Sequence, residues 1–118
     1  MVGAAALPTA AQDVEVEVRG STAVVRLYGE MDIDRAKDFR EVLLAVLSDV
    51  QRPHTVVIDL DRLSFCDSSG LNVLLNAWTV AAESGQNLSL AAAGEQFVRL
   101  LEITGAGELF TIDVAPPF

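Results

Sequence analysis

The run Thr55-Val-Val-Ile-Asp-Leu60 is β-branched and aliphatic almost throughout, with no alternating polar face. A strand of that kind is buried on both sides, so it belongs at the centre of a largely parallel sheet. The chain then turns polar over Asp61-Arg62-Leu63-Ser64-Phe65-Cys66-Asp67 and opens a helix on hydroxyls at Ser68-Ser69-Gly70-Leu71. The succession predicts a strand, a short loop and a helix start. At such a start backbone N–H groups point outward and favour negative charge. A serine there can cap the helix, act as a nucleophile or receive a phosphate.

The remaining pattern supplies the rest of the sheet. Val14–Arg19 alternates Val with charged residues and predicts a short exposed strand. Gly20-Ser21-Thr22 is a turn, and Ala23–Tyr28 is a second, more apolar strand, so the two form an N-terminal hairpin. Gly29-Glu30-Met31-Asp32 breaks the pattern. Ala36, Phe39, Leu43, Val46, Leu47 and Val50 then recur at helical spacing, with Asp32 or Asp34 as N-cap and Arg52-Pro53 as the stop. Leu71, Leu74, Leu75, Trp78 and Ala82 mark a second helix, and Asn87–Ala91 a strand. Phe97, Leu100, Leu101 and Thr104 mark a third helix ended by Gly105, and Leu109–Val114 a last strand before Pro116-Pro117. The order β-β-α-β-α-β-α-β predicts an α/β fold with a mixed, mainly parallel sheet, an antiparallel hairpin at its N-terminal edge and three helices.

With 118 residues the chain is one domain, read as a flexible tail over residues 1–12 and a single domain over 13–118. The tail carries no Lys or Arg and its apolar stretch is short, which argues against a signal peptide. No apolar run approaches the roughly 20 residues that span a bilayer, and a cytoplasmic location is expected. Asp and Glu number 17 against 8 Lys and Arg, giving a net charge of −9. A phosphate backbone is repelled by such a surface, so no nucleic-acid partner is expected and a basic protein partner is favoured.

Chemistry beyond Ser68 and Ser69 is sparse. A serine hydrolase needs a general base, and the one histidine, His54, precedes the central strand and so lies at the opposite end of the sheet. No Gly-x-Ser-x-Gly elbow is present. A phospho-aspartate receiver built on Asp59, Asp61 or Asp67 lacks its acidic pair after the first strand, and the one lysine, Lys37, falls in the first helix. Cys66 beside Asp67 reads as a buried hydrophobe rather than a nucleophile, and Phe65 as core or contact surface, with core favoured. No metal site, cofactor or catalytic site is expected. Two details raise Ser68 above a plain capping role. Gly70 so close to a helix start suggests close backbone approach, and Asp67-Ser68-Ser69 offers more polar groups than a cap requires.

Taken together, Gly29-Glu30-Met31-Asp32, Val57-Ile58-Asp59-Leu60, Leu63-Ser64-Phe65-Cys66-Asp67-Ser68-Ser69-Gly70-Leu71 and Leu100-Leu101-Glu102-Ile103-Thr104-Gly105 with Leu109-Phe110 resemble a STAS domain. More narrowly, they resemble a bacterial anti-sigma factor antagonist, and the likeness spans about residues 14–114. The resemblance implies a binding protein rather than an enzyme. It implies phosphorylation of Ser68 by an anti-sigma factor with a serine kinase fold, and reversal by a PP2C-type phosphatase. The unphosphorylated form would bind the anti-sigma factor and free the sigma factor; the alternative is a STAS scaffold in a larger signalling complex without phosphocycling. The resemblance also implies that Asp32 lies close to the phosphorylated helix start, and that Asp32, Asp67, Ser68, Ser69, Gly70 and Asn72 meet the partner. Asn72 departs from the family pattern, which commonly has Gly there.

Overall fold

A computed structural model describes residues 13–118, so the expected tail over residues 1–12 lies outside the described part. The strands are β1 (Val14–Arg19), β2 (Thr22–Met31), β3 (Thr55–Cys66), β4 (Asn87–Ala91) and β5 (Ile112–Asp113). The helices are α1 (Ile33–Leu47), α2 (Ser68–Glu83) and α3 (Glu95–Thr104), with a 3-10 turn at Ala106–Glu108. The strands lie in chain order across one five-stranded sheet, which puts β3 at its centre. Only β1 and β2 run antiparallel; every other pair is parallel. The expected order and hairpin are therefore present.

Side-chain alternation along the strands decides where the core sits. Ala23, Val25 and Leu27 of β2, Val56, Ile58 and Leu60 of β3, and Leu88 and Leu90 of β4 join the buried helix residues in one cluster. All three helices thus cover the same face. α1 contributes Ala36, Phe39, Leu43, Val46 and Leu47 as its stripe predicts, while Val50 lies beyond the helix, 99% exposed. α2 contributes Leu71, Leu74 and Ala77, and α3 contributes Phe97 and Leu101. The buried Gln86 ties the start of β4 to the end of α1, its Nε2 donating to Leu47 O (3.2 Å) and Pro53 O (2.8 Å).

Three local expectations are corrected. β1 is half-buried rather than exposed, because Val14 and Val16 enter the core while Glu15 and Glu17 occupy its other face. The polar segment from Asp61 to Cys66 is not a loop but the second half of β3. It pairs only with β2, in the register Tyr28↔Arg62, Gly29↔Leu63, Glu30↔Phe65 and Met31↔Cys66, whereas β4 stops opposite Asp59. A two-stranded ribbon that projects beyond its neighbour has little to bury, so it reads as polar. Two irregularities, between Arg26 and Tyr28 and between Gly29 and Glu30, each leave an extra residue on β3. Gly29 sits at one of them with φ of 77°, a conformation only glycine adopts readily. The last strand is cut to Ile112–Asp113 because the 3-10 turn ends at Leu109.

Phe39 is fully enclosed at the centre of this core. Phe39→Ala is expected to lower the unfolding free energy by about 3–5 kcal/mol. Val50→Ala should change it by less than about 0.5 kcal/mol. Urea denaturation with an unchanged m-value checks both.

Candidate functional site

The site is made by the end of the β2–β3 ribbon. Met31 and Cys66 are the last paired residues of two parallel neighbours, and the Asp67 N–H donates to Met31 O at 3.2 Å. Both strands therefore leave the sheet side by side and each enters a helix through an aspartate. Asp32 and Asp67 have nearly the same extended backbone, with φ of −107° and −101° and ψ of −173° in both. Asp32 Oδ1 accepts from the N–H groups of Asp34 (3.1 Å) and Arg35 (3.2 Å). Asp67 Oδ1 accepts from those of Ser69 (2.8 Å) and Gly70 (3.4 Å). The caps of α1 and α2 are thus Asp32, not Asp34, and Asp67, not Ser68.

This division frees Ser68. It is the first residue of α2, it is exposed, and the capping bonds are made by its neighbour. Ser69 is half-buried, with its N–H on the cap. Asn72, four residues on, is exposed on the same side of the helix as Ser68. Arg35, in the first turn of α1, donates to Glu30 O (3.0 Å) and pairs with Asp13 (3.3 Å), on the β1–β2 side.

Gly70 explains why the helix begins so close to the sheet. A Cβ there would lie 2.6 Å from Cys66 Sγ, 2.7 Å from Met31 Cγ and 3.2 Å from Met31 O. The first turn of α2 rests on the last rung of the ribbon, as the position of that glycine suggested. Cys66 is buried underneath. Burial, and then the Asp67 charge, push its thiol up to about 12, so it is inert as a nucleophile at neutral pH.

Two contributors, Gln96 and Ile33, carry no role in the sequence reading, and a third, Phe65, is favoured there as core over contact surface. Gln96, from the first turn of α3, accepts from the Cys66 N–H (2.9 Å) and donates to Cys66 O (2.8 Å). Its amide stands in for the strand that β4 does not supply, and it fixes the residue before the cap. No sequence signal marks it. Ile33 and Phe65 flank the two caps and are exposed, 72% and 41%. Phe65 is therefore surface rather than core. Ile33, outside the apolar stripe of α1, was detectable by that misplacement. The arrangement is a surface with a polar centre and an apolar rim. Among the described residues no cluster of three His, Cys, Asp or Glu could hold a metal ion, and no helix is long and apolar enough to cross a membrane.

The family profile described as "Mlab, STAS domain" matches residues 6–112. The chain belongs to the STAS-domain family. This STAS domain is 28% identical over 100 residues to the anti-sigma-B factor antagonist of Bacillus subtilis, covering 85% of this chain and 89% of the relative. Among solved structures it is similar to an anti-sigma factor antagonist from Mycobacterium paratuberculosis, 27% identical with a TM-score of 0.73, covering 85% of this chain and 83% of that one. It shares its fold with the phosphorylated form of the Bacillus cell fate determinant SpoIIAA, 22% identical with a TM-score of 0.68, over 86% and 91% of the two chains.

Gly70→Ala is expected to destabilise the STAS domain by about 1–3 kcal/mol through overpacking. Alanine is the better helix former by about 1 kcal/mol, so a gain in stability would remove the close-packing argument. Adding Cys66→Ala should recover part of the loss. In the native protein at pH 8 a disulfide reagent should label Cys66 at least about 100-fold more slowly than in urea. The raised pKa favours folding in full below the free-thiol value of 9.0, and that contribution is lost as pH rises toward about 12.

Proposed function

We propose that this STAS domain is an anti-anti-sigma factor whose surface around Ser68 binds an anti-sigma factor with a serine kinase fold. Binding of the unphosphorylated form releases a sigma factor, phosphorylation of Ser68 ends it, and a PP2C-type phosphatase restores it. The domain acts in the cytoplasm, without a cofactor and without catalysis of its own. The observation that carries this reading is an exposed Ser68 on a helix start that Asp67 has already capped. Its hydroxyl is open to a kinase while the backbone around it stays fixed. Asp32, Asp67, Ser69, Gly70 and Asn72 complete the docking surface, and Ile33 and Phe65 supply its apolar rim.

The charges suit a switch. A phosphoserine adds about −1.5 to −2 charge with three strong acceptor oxygens. The helix dipole favours it there by about 0.3–1 kcal/mol. The amides that would hold it already bond to Asp67, and both aspartates repel it. The phosphate therefore projects into the docking surface. A mispaired charge at a protein interface costs about 2–5 kcal/mol, more than tenfold in affinity.

The test is incubation with the kinase partner and ATP, followed by phosphopeptide mass spectrometry. Phosphate is expected on Ser68 and absent from a Ser68→Ala variant. Label on Ser69 or on Thr79, which is also exposed, would overturn the assignment. Ser68→Asp should weaken the partner complex by more than about tenfold. Asn72 favours a second reading, because it places a longer side chain on the docking surface where the family commonly has Gly. On that reading the domain is a scaffold of a larger signalling complex without phosphocycling, and Ser68→Asp leaves affinity unchanged.

A further inference from the structure

The face of the sheet opposite the helices is covered differently. Among the described residues its buried apolar side chains are Val24, Val57 and Ala91, from three adjacent strands, and the partly buried hydrophobic side chain packed on them is Phe118. Around this apolar ledge stand Glu17, Arg19, Arg26 and Asp59. Arg26 pairs with Glu17 (2.9 Å) and Asp59 (3.5 Å) and donates through Nη2 to Phe118 O at 2.6 Å. The Arg19 guanidinium lies 4.6 Å from the centre of the Phe118 ring. Phe118 thus has an apolar floor, a cation over its ring and a donor on its carbonyl oxygen.

The segment that brings it there, residues 114–118, reads Val-Ala-Pro-Pro-Phe. The chain bends at Val114 and Ala115 directly after β5, and Pro116-Pro117 lead from there to Phe118. Pro116 and Pro117 have few conformations to lose when Phe118 seats and no N–H to satisfy.

We infer that this back face is a second docking surface, specific for an aromatic side chain on an irregular segment and occupied in cis by Phe118. A partner segment of the same chemistry binds there when Phe118 is out. Tethering places Phe118 at an effective concentration in the millimolar range, which suppresses binding in trans to the parent protein. The surface lies across the sheet from the helix layer and shares no residue with the Ser68 site, so its test is separate from that of the proposed function.

The probes are the peptides Val-Ala-Pro-Pro-Phe and Val-Ala-Pro-Pro-Ala, titrated into the full chain and its Phe118→Ala variant while methyl NMR shifts are followed. The variant is expected to bind the Phe peptide saturably, with shifts at Val24, Val57 and Ala91, and the Ala peptide about tenfold more weakly or worse. The parent protein should bind the Phe peptide at least about tenfold more weakly than the variant does. Equal binding of the two peptides, shifts centred on Ser68, no saturable binding, or self-association of the variant in place of peptide binding would each overturn the inference. Should Phe118→Ala not fold, Phe118→Leu, which keeps a weaker apolar plug without the ring under Arg19, takes its place; it is expected to bind the Phe peptide more tightly than the parent does, and binding no tighter than the parent's would overturn the inference.

Discussion

The register of β2 against β3 is the constraint on which the rest depends. Because Met31 and Cys66 face each other as the last pair, the two strands end together and Asp32 and Asp67 follow as neighbours. A slip of one residue would turn every side chain of β3 to the wrong face. It would also separate the two caps. The apolar face of β3 resists such a slip, since Val56, Ile58 and Leu60 fit the core under the helices in only one phase. The extra residues of β3 at its two irregularities then let the ribbon reach its end in step. Core packing thereby sets the spacing of polar groups at the surface some distance away.

Rigidity at the site follows from the same place. Gly70 seats α2 on Cys66 and Met31, Gln96 bonds both backbone groups of Cys66, and the Asp67 N–H closes the last rung on Met31. Every neighbour of Ser68 is held from below while Ser68 itself is open. On the proposed function, phosphorylation would change what this surface presents rather than the shape of the domain.

Much of this was legible in the sequence, for physical reasons that differ between elements. β3 and the three helices bury broad apolar faces, so their patterns are strong, and β4 was placed with its observed bounds. The second half of β3 reads as a loop in the sequence because local polarity cannot distinguish a loop from a ribbon paired on one edge only. The pairing that rescues Asp61–Cys66 is with β2, more than thirty residues away. Gly70 was readable because glycine near a helix start is unfavourable unless something needs the space. Gln96 was not readable. Its role depends on β4 ending at Ala91, and nothing within α3 records that. Phe65 misled because aromatic residues are mostly core, and here its ribbon has passed the edge of the core.

The charge of the whole molecule bears on how a signal at Ser68 could act. The chain carries −9, so a phosphate of about −2 changes its overall field by only about a fifth. Salt at physiological strength screens that field within about 8 Å. A partner tolerant of the first nine charges would scarcely register two more at a distance. On the proposed function, discrimination would come from the few ångströms around Ser68, where Asp32 and Asp67 already accept from the backbone donors of the two helix starts. The aspartates thus do two things at once. As caps they hold the helix starts in place, and as like charges they leave an added phosphate without local compensation. A phosphate so placed would have to be desolvated by any partner that closed over it.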